Sequence, residues 1–166
     1  MVEVQEEMNK VPRALLVGEP GNDLQELKGL VQTLGYEVVQ RLTLSRLEIH
    51  PAYGMGKGKA AEISELAHSI NADCIIFDFN IDPSKQRNWE KLSDLSCFDR
   101  QEVIIRIFAS RAQTKEATLQ VELARLQYSL PRLVHMNKDF NRQRGGSYGA
   151  KGSGETQLEL DTRKVR

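Results

Sequence analysis

The sequence predicts an α/β fold: a small, mainly parallel sheet with flanking helices, followed by a long antiparallel helical hairpin. Two observations carry this. Between residues 12 and 98, short apolar runs alternate with segments of helical period, the order expected of strands joined by crossover helices. Residues 100–130 then contain neither Gly nor Pro and keep an apolar seam at three- and four-residue steps, as a long amphipathic helix does.

RALLVG (13–18) opens the chain as a short buried strand, and EPGN (19–22) is a Gly/Pro turn. Leu24, Leu27, Leu30, Val31 and Leu34 recur with helical spacing, Asn22 or Asp23 serving as N-cap and Gly35 as the stop. YEVVQRLTLS (36–45) reads as a strand. KGKAAEISELAHSI (57–70) reads as a helix through Ile63, Leu66, Ala67 and Ile70. DCIIFDF (73–79) is a continuous apolar run suited to a strand buried on both faces. Pro83 is placed to open a helix over 84–95 with Trp89, Leu92 and Leu95 on one face, and a short strand follows at Ser96–Phe98.

From Asp99, a good N-cap, the character changes. Ile105, Phe108, Ala112, Leu119, Leu123, Leu126 and Leu130 form the seam, interrupted near Lys115-Glu116. A helix of about 31 residues would be roughly 46 Å long. Pro131 is expected to end it. A Gly-rich polar loop over 133–154 then leads to a second helical arm from Glu155, with Leu158 and Val165 seven residues apart. That arm is short against its partner, so the sequence predicts a hairpin cut off in its second helix. The expected domains are thus 12–98 and 99–166.

The composition, 40% hydrophobic and 28% charged, is that of an ordinary globular chain. Lys plus Arg and Asp plus Glu both total 23, but the balance is uneven. Residues 1–131 carry 15 basic and 19 acidic side chains, and 132–166 carry 8 and 4. A net −4 body therefore precedes a net +4 tail, which excludes a uniformly basic nucleic-acid binder and points to a local electropositive element. No apolar run approaches the roughly 20 residues of a membrane span, and the polar, acidic start MVEVQEEMNKV is neither a secretory signal nor a transit peptide. A cytoplasmic protein is expected, with Cys74 a buried free thiol.

The Gly-rich segment GGSYGAKGSG (145–154) has two readings. In the first it contacts RNA: Arg142, Arg144 and Lys151 offer charge to phosphates, Phe140 and Tyr148 offer rings to bases, and the glycines permit close approach. In the second it only connects two helices. It is not an NTPase phosphate loop, because Glu155 and Thr156 follow Gly154 where Lys and Ser/Thr are needed. GMGKGK (54–59) fails the same pattern, since residue 53 is Tyr and Ala60 follows Lys59. There Gly56, Lys57, Gly58 and Lys59 before a helix start are either an anion site or a tight turn with solvated lysines. His50, His68 and His135 lack metal-ligand spacing, and Ser153 is not in a nucleophile elbow. Asp78, Asp82 and Asp99, near strand ends, are expected to cap helices or be solvated rather than act as catalysts. Neither a catalytic residue, a metal nor a cofactor is expected. Two alternatives to RNA binding stand: a nucleotide held at the strand ends near Gly18–Asn22 and Gly54–Lys59, and a structural module whose exposed seam pairs with a second copy.

Several segments together resemble the N-terminal region of the HflX-type ribosome-associated GTPases. They are YGMGKGK (53–59) leading into AAEI, PSKQRNWEK (83–91), Phe98-Asp99-Arg100, IFASRAQTKEATLQVELARLQYSLPRL (107–133) and GGSYGAKGSGETQLELDTR (145–163). The resemblance implies an α/β subdomain, a long-helix subdomain reaching into the large ribosomal subunit toward the peptidyl-transferase region, and a role in splitting or rescuing ribosomes under stress. It also implies that Arg142, Arg144, Gly145, Gly146, Tyr148, Lys151, Gly152, Gly154 and Glu155 form the RNA-contacting tip. The family loop commonly reads GG-x-G-T-R-G-P-G-E; here Lys151 stands for the arginine, Ser153 for the proline, and the loop is one residue longer. Lysine keeps the charge but loses the planar fork. The implied partners are the large subunit with its RNA and a C-terminal GTPase domain. GTP and magnesium would belong to that domain, so this chain alone is expected to be inactive as a GTPase.

Overall fold

The computed structural model describes residues 10–46 and 50–143, with 133–143 described by their backbone alone. The chain divides into two compact units between Ser110 and Arg111.

In the first unit, four strands form one parallel sheet: β1 (Arg13–Gly18), β2 (Glu37–Thr43), β3 (Cys74–Phe77) and β4 (Ser96–Asp99), in the order β2-β1-β3-β4. Four helices belong with it: α1 (Gln25–Thr33), α2 (Lys57–Ser69), α3 (Pro83–Ser93) and α4 (Arg100–Arg111). From β1 the chain steps one way to β2, then back past β1 to β3 and on to β4. A constant crossover hand therefore sends α1 to one face and α2 and α3 to the other. The core obeys this. Leu15, Val17, Ile75, Phe77 and Cys97 pack with Ala60, Ile63 and Ala67 of α2 and Trp89 of α3. Ala14, Leu16, Cys74, Ile76 and Phe98 pack with Leu27 and Val31 of α1 and with Val103 and Ile107 of α4. All four residues of β3 are buried, as its unbroken apolar run requires.

Local chemistry explains the boundaries. Leu24 precedes α1 in left-handed backbone (φ 63°). The expected cap is a pair of side-chain turns: Asn22 Oδ1 accepts from Leu24 N at 2.9 Å and Asp23 Oδ1 from Gln25 N at 3.0 Å. Gly35 (φ 94°) ends the helix. Asp82 caps α3, accepting from Lys85 N at 2.9 Å, with Pro83 in its first turn. Asp99 does the same for α4 through Glu102 N.

The expected helix over 100–130 is two helices. α4 stops at Arg111 and α5 runs Lys115–Gln143, the restart being capped by Thr114, whose Oγ1 accepts from Ala117 N at 3.0 Å. The buried face of α4 is Val103 and Ile107. Phe108, assigned to the seam, is 61% exposed. α4 packs on the sheet, so the division falls after Ser110 instead of after residue 98.

In the second unit, Pro131 does not end the helix: it lies inside α5, which continues to Gln143. A proline there forgoes one helical amide donor. The donor lost is the one that would serve Gln127 O; one residue on, Arg132 Nη1 donates to Tyr128 O at 3.0 Å with its guanidinium 3.6 Å from that ring's centroid. Leu119 and Leu123 are 60% and 44% exposed and line an open groove with Lys115, Glu116 and Gln120. The expected second arm, from Glu155, lies outside the described residues.

Candidate nucleic-acid interface

At the start of α2, Gly56 caps the helix in extended backbone (φ −60°, ψ 146°) with no side-chain acceptor, and the first turn has no acidic residue. The amide end of the helix is thus left electropositive. Lys57 is exposed. Lys59 Nζ lies 3.7 Å from a Glu62 carboxylate oxygen, a surface pair worth little against a ligand. A Cβ on Gly58 would meet no atom within 4 Å, so packing does not demand glycine there, and its bare backbone is open to close approach. Beside this helix end is a pocket of about 300 Å³ lined by Leu44, Ser45, Arg46, Met55, Gly56 and Lys59. Leu44 and Met55 are 3% exposed; the polar lining is two cations from different elements and a hydroxyl. Cations and a hydroxyl are donor types that suit an anion of the phosphate class.

The turn leading to Gly56 is pinned from α3. Asn88 Nδ2 donates to Ala52 O at 2.9 Å and Trp89 Nε1 to Tyr53 O at 3.0 Å. Gly54 then reverses the chain at φ 74°, its amide donating to His50 O at 2.9 Å.

The crevice between the carboxyl ends of β1 and β3, where doubly wound sheets take ligands, is occupied by the protein's own side chains. The Asn22 amide donates to Asp78 Oδ2. Arg100 pairs with Glu26 and sets Nη1 3.7 Å from Asp78 Oδ1, an oxygen that accepts no hydrogen bond. A Cβ on Gly18 would lie 2.4 Å from Leu24 Cδ2. Glycine at 18 is therefore explained by the packing of Leu24.

The remaining titratable groups read as structural. Partial burial pushes the Asp82 carboxyl up, but the Lys85 amide and ammonium outweigh it and hold it below the usual range. Burial pushes the Cys74 and Cys97 thiols up to about 12, far from reactive thiolates. The two belong to clusters on opposite faces of the sheet. His68 Nε2 is 2.6 Å from Ser93 O.

Of the residues expected at functional sites, Gly56, Lys57, Gly58 and Lys59 stand together at the α2 start. Arg142 lies in the last turn of α5, not in a loop. Arg144, Gly145, Gly146, Tyr148, Lys151, Gly152, Gly154 and Glu155 lie outside the described residues. Sequence reasoning missed Ser45 and Arg46, which have no motif, and the hold of Asn88 and Trp89 on residues 36 positions away. Among the described residues no helix is long and apolar enough to cross a membrane.

Residues 21–109 match the family described as GTP-binding GTPase N-terminal, and residues 111–166 match GTP-binding GTPase Middle Region. Similar curated proteins include the GTPase HflX of Akkermansia muciniphila, 45% identical over 155 residues (88% of this chain, 36% of that protein). Another is the GTPase HflX of Escherichia coli K12, 45% identical over 144 residues (87% and 34%). The chain spans about a third of the length of these relatives. Among solved structures, that of SsGBP and GDP complex aligns with a TM-score of 0.64 at 21% identity, over 93% of this chain and 43% of that one. A GTP-binding protein from Sulfolobus solfataricus in complex with GDP aligns with a TM-score of 0.63 at 20% identity, over 93% and 45%. At that identity the likeness is one of fold.

Proposed function

This chain belongs to the HflX family of GTP-binding GTPases, within its N-terminal and middle regions, and from that premise we propose that it is the part of such a protein that binds large-subunit ribosomal RNA. The observation that carries the reading is the family match across both regions. It is supported by the net +4 charge of residues 132–166 and by a 29-residue helix that runs into that segment as far as Gln143, a lever of about 43 Å. In this reading the basic Gly-rich segment from Arg142 to Glu155 contacts RNA near the peptidyl-transferase region, and 155–166 returns along α5 as the second arm of a hairpin. The α2 start with Gly56, Lys57, Gly58 and Lys59 supplies a second phosphate contact. Nucleotide hydrolysis, with GTP and magnesium, is assigned to family regions outside this chain, and the action to ribosome splitting or rescue in the cytoplasm. The exposed Leu119 and Leu123 favour pairing with another helix, from the second arm or from a second copy.

Co-sedimentation with purified large ribosomal subunits at low and moderate salt tests the reading, beside a variant lacking residues 142–153. Binding that depends on the loop and weakens with salt is expected, because phosphate contacts release counterions. Equal binding by both chains would sink the role of the loop, and no binding by the folded chain would sink RNA recognition by this module.

A further inference from the structure

We propose that the stripe of α5 carrying Arg125, Tyr128 and Arg132 is a contact for the RNA backbone, distinct from the Gly-rich segment; the proposal deepens the RNA-binding reading and rests on it. At about 100° per residue, Tyr128 and Arg132 stand roughly 60° and 20° round the helix from Arg125, both on the same side of it. The three therefore share one stripe. By the same arithmetic Leu119, Leu123, Leu126 and Leu130 fall on a stripe centred about 160° away. α5 is thus two-sided: an apolar seam fit for another helix, with Leu119 and Leu123 60% and 44% exposed, and a cationic, aromatic side opposite. Between Thr118 and Arg132 the only acid is Glu122. It falls outside the cationic stripe, about 60° from Arg125 in the other direction.

Arg132 is set before any ligand arrives. Its guanidinium lies 3.6 Å from the centroid of the Tyr128 ring, and Nη1 donates to Tyr128 O at 3.0 Å, so ring and carbonyl together fix the plane and direction of the cation. The contact suits arginine, whose planar, weakly hydrated head keeps its charge against an aromatic face. A guanidinium ordered in this way loses little freedom on meeting a phosphate. Arg125 is exposed and lies seven residues earlier, roughly 10 Å away along the axis. Two guanidiniums and a ring, with no acid among them, complement a phosphate chain that has bases beside it. Residues 1–131 as a whole carry 15 basic and 19 acidic side chains, so the stripe is a local exception and not part of a general basic surface. α5 runs on from it to Gln143, into the basic segment, and one element then serves both contacts.

The test uses the full chain and purified large ribosomal subunits, with co-sedimentation over a salt series so that affinity and its salt slope are both read. Arg125→Gln and Arg132→Gln keep good helix formers in α5. Each is expected to weaken binding and to lower the slope by about one, the loss of one phosphate contact. Tyr128→Leu leaves the charge in place and is expected to weaken binding about two- to fivefold, the worth of an exposed contact between cation and ring, with the slope kept. Lys91→Gln, an equal loss of charge in the last turn of α3, is the control and is expected to bind as the wild type does. Wild-type affinity and slope in both arginine variants, in a chain that binds, overturn the proposal and leave the Gly-rich contact standing. Losses matched by Lys91→Gln overturn it as well, because net charge alone then accounts for them. Wild-type affinity in Tyr128→Leu overturns the part given to the ring. No binding by the folded wild-type chain overturns the RNA-binding reading and this stripe with it.

Discussion

Arg100, the first residue of α4, places Nη1 3.7 Å from Oδ1 of Asp78, a carboxylate whose side chain is only 6% exposed at the end of β3. Asn22 satisfies the other oxygen, so Arg100 is what offsets the charge of a buried acid lacking a second hydrogen bond. Removing one member of such a pair leaves the other uncompensated. Because Arg100 is itself 38% exposed, water covers part of the loss. Arg100→Ala is expected to cost about 1–2 kcal/mol, and Asp78→Asn in the same chain to recover much of it. Urea denaturation of both single variants and the double variant measures the coupling; additive losses would show that the two residues act independently.

Gly18→Ala pits Cβ against Leu24 at a fully buried position. A loss of about 1–3 kcal/mol is expected from overpacking, relieved when Leu24→Ala opens the space. If the double variant is no better than the sum of the singles, something other than Leu24 demands glycine there.

The two thiols make alkaline stability steep. Burial raises each from the usual 9.0 to about 12, so the folded chain keeps its thiol protons where the unfolded chain has released them. Stability from this source is complete below about pH 9 and falls between about 9 and 12, as linkage requires. Equilibrium unfolding at stepped pH, compared with a Cys74→Ala and Cys97→Ala chain, should show a shallower alkaline decline in the latter. Both thiols should resist alkylation at pH 8 until the chain is denatured.

Pro131→Ala restores a donor within α5. Proline in a helix interior costs about 3 kcal/mol relative to alanine, and the carbonyl it leaves without its helical donor is that of Gln127. The variant should show greater helicity by circular dichroism and slower amide exchange around Gln127; unchanged exchange would mean that the proline is already accommodated without cost.

The α/β layer was legible because its signals are local. An unbroken CIIF run suits a strand buried on both faces, Pro83 after Asp82 starts a helix, and Ile63, Leu66, Ala67 and Ile70 share a face by periodicity alone. The helical region was harder. Thr114 is a cap that only the broken helix exposes, and Pro131 has the look of a terminator although α5 runs through it. Phe108 has the spacing of a core residue, but the sheet takes Val103 and Ile107 instead, since contact with β3 and β4, not hydrophobicity, selects the face.

The candidate anion site divides in the same way. Glycines and lysines at 54–59 are readable in order, because a helix end attracts anions whatever surrounds it. Arg46 lines the pocket at that end with no motif to announce it, and Asn88 and Trp89 come to the turn only through the packing of α3. By itself, then, the sequence determined the strands, most helix starts and the uneven charge, each set by neighbours a few residues away. The tertiary structure alone decided which glycine serves packing, which side of α4 is buried, and what holds the α2 start in place. The hold on the α2 start and the Asp78–Arg100 pair join groups 36 and 22 positions apart, and a local pattern carries no record of such meetings.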